Sequence, residues 1–144
     1  MKKILSILML SIISIISFGQ VSVNKIQKEG EIVIKSVNDY IYKCCDSNDY
    51  YLIVSSDNQF EDKIVKIKLG NGSTESINSL KLILNLWENS NDGDIVDISG
   101  NRCYINKIQT HTITIQNPPY SAGKYYFTVH LLKKAIKLDK NGKF

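Results

Sequence analysis

The stretch KIVKIKLGNGSTESINSLKLILNLWEN, residues 63–89, changes its apolar period partway along. In its first part Val65, Ile67 and Leu69 alternate with Lys66 and Lys68. Successive side chains of a strand point to opposite faces, so this spacing makes one buried face and one wet face. Asn71-Gly72 ends the strand. From Ser73 onward the spacing becomes helical. Ile77, Leu80, Ile83, Leu84 and Trp87 fall on one stripe, leaving Asn78, Lys81, Asn85 and Glu88 for water. Ser73 is expected to cap the first turn by accepting a backbone N–H, and Glu75 suits its positive end. A half-buried strand running into an amphipathic helix calls for a sheet with a helix packed on it.

Leu82 and Leu86 widen the apolar arc of that helix beyond a single stripe. An arc this wide touches more than one neighbour. A sheet plus a second helix is the structural expectation. The functional expectation is an edge, marked by Leu82 and Leu86, that meets a partner.

Toward the amino terminus, residues 31–35 and 40–45 read as strands. Residues 50–55 form a continuous apolar run, as in a strand buried on both faces. Toward the carboxyl terminus, 95–98 and 102–105 read as a hairpin, with Gly100-Asn101 expected to supply the positive φ angles of its turn. In 110–116, His111, Ile113 and Ile115 alternate with Thr112, Thr114 and Gln116. Asn117-Pro118-Pro119 breaks the sheet, because proline cannot donate to a ladder. After a short strand over 123–127, Thr128 caps a second helix. Its apolar half is Val129, Leu131, Leu132, Ala135, Ile136 and Leu138, and its wet half is His130, Lys133, Lys134 and Lys137. The elements together predict an α+β domain: a mainly antiparallel sheet with two helices, about 73–89 and 128–139, packed on one face. No internal repeat is visible in the sequence.

The chain opens with Met1, Lys2 and Lys3, then an apolar run over 4–18 that ends in Ser17-Phe18-Gly19. Cations, an apolar run and a small-x-small site form an export signal, with cleavage expected after Gly19. The run is about 15 residues, short of the ~20 that a spanning helix needs. The expected organisation is a signal over 1–19, a loose lead-in over 20–30 and one globular domain over 31–144. The signal resembles those of bacterial exported proteins, a likeness of signal type alone. It implies a periplasmic or secreted domain with no lasting membrane insertion. Loss of Lys2 and Lys3 reduces a formal charge of +4. So mild a balance argues against a nucleic-acid partner.

The cysteines are Cys44, Cys45 and Cys103. Neighbouring Cα atoms sit ~3.8 Å apart, closer than an ordinary disulfide accepts. A bond from Cys44 or Cys45 to Cys103 is therefore one expectation, and three buried, reduced thiols acting as small hydrophobes the other.

No motif assigns a chemistry. His111 on an apolar face suits a hydrogen-bonded rim or core residue, and a Cys103–His111 nucleophile and base lacks any supporting surround. Residues 89–94 are rich in oxygen ligands, but Ser99 stands where a calcium loop needs its closing glutamate. Asp46, Asp49, Asp57, Glu61 and Asp62 are scattered through loops, so no acid–base pair can be chosen among them. Gly70-Asn71-Gly72-Ser73 leads into a helix and is better explained as a turn than as an anion cradle. No cofactor and no metal are implied. The expectation is a non-enzymatic domain that binds a protein or envelope component, through the loop of Pro118, Pro119 and Tyr120 and through Leu82 and Leu86. Tyrosine in a stiffened loop loses little entropy on binding. A small secreted hydrolase and a carrier of a small apolar ligand are the alternatives.

Overall fold

The computed structural model describes residues 30–116, 123–142 and 144. The expected signal, nearly all of the lead-in, and Pro118, Pro119 and Tyr120 lie outside the described residues. Among the described residues, eight strands and two helices follow in order: β1 (Glu31–Lys35), β2 (Asp39–Lys43), β3 (Asp49–Ser55), β4 (Ile64–Asn71), α1 (Ser73–Asn89), β5 (Ile95–Ile98), β6 (Asn101–Asn106), β7 (Thr112–Ile115), β8 (Tyr125–Thr128) and α2 (Val129–Lys140). All strand pairs are antiparallel. The class is α+β, as the periodicities predict.

The strands divide into two sheets, ordered β1-β2-β3-β4 and β5-β6-β7-β8. Each sheet is a meander of sequential strands followed by a helix, so the arrangement occurs twice although the sequence shows no repeat. The division follows from α1. Ser73 to Asn89 carries the chain away from β4, and Asp92-Gly93 starts a new meander instead of extending the old one. An isolated bridge between Ser56 and Tyr125 joins the two. Beside it, Asp57 N–H donates to Lys124 O at 3.0 Å, and Lys124 N–H donates to Asp57 Oδ1 at 2.7 Å.

One apolar cluster serves both sheets and both helices. Leu52, Val54, Ile67 and Leu69 meet Ile105, Ile113 and Phe127 there, with Leu80, Leu131 and Leu132 from the helices. The alternation in β4 gives buried Ile67 and Leu69 against exposed Lys66 and Lys68. α1 lies against β4 and α2, while α2 touches β1, β2 and β8. Among the described residues no helix is long and apolar enough to cross a membrane.

Four local expectations are corrected. The N-cap of α1 is Gly72, at φ 91°, not Ser73, and no side chain caps it. Instead Glu75 Oε2 accepts Asn71 N–H at 2.8 Å, and Ser76 Oγ donates to Gly72 O at 2.7 Å. A close approach forces the strand to reach this turn through glycine: a Cβ on Gly70 would lie 2.6 Å from Glu75 Cβ. The β5–β6 turn takes its positive φ angles from Ser99 and Gly100, at 52° and 81°, and Asn101 already pairs with Ile98. His111 is exposed and precedes β7, so it does not share the buried face of Ile113 and Ile115. None of the three cysteines is in a disulfide. Cys103 is buried in the core on β6, and Cys44 and Cys45 lie beyond the end of β2. The second helix behaves as expected: Thr128 Oγ1 accepts Leu131 N–H at 3.2 Å.

Candidate functional site

Among the described residues β4 is an edge strand, hydrogen-bonded to β3 only, and β5 is likewise an edge of its own sheet. Residues of both edges line one open groove of about 220 Å³, with α1 as its wall. Ile67 and Leu69 come from β4, Ile98 from β5, and Leu82, Ile83 and Leu86 from α1. The groove exists because α1 uses its buried stripe, Ile77, Leu80 and Ile83, for the core. Leu82 and Leu86 sit to one side of that stripe. Leu82 is 69% exposed, and Leu86 only partly buried.

Lys68, Ser79, Asp97 and Ser99 add polar groups to the lining. Lys68 on β4 ion-pairs with Asp49 at 3.1 Å, and the carboxylate holds the ammonium above its usual range. Asp49 itself is held below the usual carboxylate range, first by Lys68 and then by Asn71. On the facing edge Asp97 and Ser99 contribute, with Asp97 Oδ1 accepting Gly100 N–H at 3.1 Å. Ser79 Oγ donates to Leu69 O and so satisfies one carbonyl of the β4 segment lining the groove.

Leu82 and Leu86, the two leucines singled out in the sequence, both line this groove. Lys68, Ser79, Asp97 and Ser99 were missed. Their only signal is tertiary, since they come from β4, α1, β5 and the β5–β6 turn, which the chain visits in turn.

Several of the other candidates have structural roles. Cys103 Sγ donates to Asn101 O at 3.3 Å, and burial pushes its thiol up to about 12, the wrong direction for a nucleophile. The His111 ring lies 5.8 Å from that of Trp87 instead. In the oxygen-rich turn, Asp92 Oδ1 accepts the N–H groups of Lys107 and Ile108, and Asp94 Oδ2 accepts Asn91 N–H. Among the described residues no cluster of three metal-ligating side chains is present. Glu61 Oε2 accepts from Ser56 Oγ at 2.9 Å. The Tyr125 hydroxyl is pushed up by burial and by that carboxylate. Asn71 N–H is taken by Glu75, so the turn before α1 is not open to an anion there. His130, Lys133, Lys134 and Lys137 are exposed on α2. No known family model, curated protein or solved structure matches the chain.

Proposed function

We propose that this chain is an exported, non-enzymatic binding domain, and that it holds an extended segment of a partner protein in the groove of β4, α1 and β5. The observation that carries this reading is Leu82, 69% exposed beside an unpaired strand edge. Fully burying a leucine is worth about 1.5–3 kcal/mol, so this side chain is an anchor waiting for cover. An edge strand offers a row of backbone donors and acceptors that an extended chain satisfies by adding a strand. The groove's volume of about 220 Å³ lies below the ~300–1,000 Å³ of small-molecule pockets. It suits one or two side chains of a peptide better than an engulfed ligand. Burial of Cys103 in the core argues against a nucleophilic role for that thiol.

The test is a screen of extended peptides against the chain, followed by amide exchange on a bound example. Binding should slow exchange at 67–69 and should fail in Leu82→Ser. Turnover of envelope polymers by the purified chain, or binding indifferent to Leu82→Ser, would overturn the reading.

A further inference from the structure

The two strand edges that line the groove carry the same alternation. On β4, Ile67 and Leu69 are buried while Lys68 is exposed, and on β5, Ile98 is buried while Asp97 is exposed. An extended chain laid along these edges alternates in the same way, because successive side chains of a strand point to opposite faces. One set of its side chains meets Leu82, Ile83 and Leu86 of α1. The other set stands beside Lys68 and Asp97. These two charges are not equivalent. Lys68 is met by Asp49 at 3.1 Å, and theirs is the one ion pair among the described residues. Asp97 Oδ1 accepts only the neutral Gly100 N–H, at 3.1 Å. Arg102 lies opposite Asp97 in the β5–β6 ladder, yet makes no ion pair with it. The groove therefore combines an apolar wall with one carboxylate that has no ion-pair partner.

We propose that Asp97 selects the occupant of the groove: an extended segment in which apolar and polar residues alternate, with a lysine or arginine at the polar position beside Asp97. This rests on the reading of the groove as a peptide site. Apolar side chains of the segment supply most of the affinity, through burial against Leu82 and Leu86. The cation supplies the choice among segments. An exposed ion pair adds little to affinity by itself. A glutamate at the same position, however, faces Asp97 as a like charge, and directly opposed like charges destabilise a sheet. Discrimination is the sum of the attraction gained by one segment and the repulsion met by the other. Lys68 exerts no matching pull on an acidic segment, since Asp49 already meets its charge.

The probes are two labelled peptides of about seven residues, alternating valine and threonine, in which the central threonine is replaced by lysine in one and by glutamate in the other. Fluorescence anisotropy with the folded chain gives their affinities. The lysine peptide should bind about fivefold more tightly at low salt. The difference should vanish in about 1 M salt, where the screening length falls to ~3 Å. Asp97→Asn should remove the preference and keep the binding. Asparagine retains an oxygen for the Gly100 N–H, so the turn survives the change. Equal affinities for the parent chain, or a preference that persists in Asp97→Asn, would overturn the role of Asp97 while the peptide groove stands. Binding of neither peptide by the parent chain would remove the groove reading and this inference with it.

Discussion

Asp39 Oδ2 accepts two hydrogen bonds from Thr128, from the backbone N–H at 2.9 Å and from Oγ1 at 3.2 Å. The two residues lie 89 positions apart. Asp39 begins β2 in the first sheet and is 1% exposed, while Thr128 ends β8 in the second and caps α2. The Thr128 hydroxyl donates to Asp39 and accepts from Leu131 N–H, so one side chain ties the first sheet to the start of the last helix. Asp39→Ala strands a backbone donor in the interior. It should cost about 1–3 kcal/mol, read by denaturant unfolding. A loss below ~0.5 kcal/mol, the scatter of ordinary surface changes, would show that the link carries no weight.

The same carboxyl gives stability a pH dependence. Burial raises Asp39 above its ordinary value, and the hydrogen bonds from Thr128 and Ser36 only partly offset this. The folded state then holds the proton more tightly than the unfolded state. Asp39's contribution is fully present below its unfolded pKa of 3.8 and is lost as pH rises through the raised folded value. Asp39→Asn should flatten that part of the stability–pH curve. An unchanged slope would assign the dependence elsewhere.

Lys107 caps a helix to which it does not belong. Its Nζ donates to Glu88 O at 2.9 Å and to Ser90 O, and stands 5.0 Å from the centroid of the Trp87 ring. α1 has no basic residue in its own last turn, so this cation from the β6–β7 connection meets the negative end of the dipole. Lys107→Ala should destabilise by about 1 kcal/mol. The single Trp87 provides a fluorescence reading of the same change. A melting temperature equal to that of the parent chain would refute the role.

Ser99 is the one described non-glycine residue at positive φ. Its turn needs positive φ at both central positions, and asparagine tolerates that region better than serine. Ser99→Asn should raise stability by roughly 0.5 kcal/mol in thermal unfolding. A fall in melting temperature would mean that the serine has another task in the groove.

Leu80 and Leu82 separate core from surface within one helix. Leu80 is fully buried and Leu82 69% exposed. Leu80→Ala should cost about 2–5 kcal/mol, whereas Leu82→Ser should stay within ~0.5 kcal/mol of the parent chain. Comparable losses would place Leu82 in the core and remove it as a binding anchor.

Much of the local structure was legible. α1 begins and ends where the apolar spacing changes, and β1 and β5 match their runs. Neighbouring residues decide these elements. The cap of α1 was misread because serine at a helix start is the usual signal, whereas here Gly70 lets Glu75 approach closely enough to take the task. His111 was misread because alternation extends on paper past the point where β7 begins.

The sequence by itself determined the α+β class, the approximate places of the strands and helices, and the leucines that stray from the buried stripe of α1. Each follows from periodicity, which needs only residues a turn or two apart. The tertiary structure alone decided that the strands form two sheets, that Asp39 reaches Thr128, and that Lys68, Asp97 and Ser99 gather beside Leu82. Those pairings depend on how a wide apolar arc is shared among distant elements. Many strand orders would bury the same residues, and the chain's local pattern does not distinguish among them.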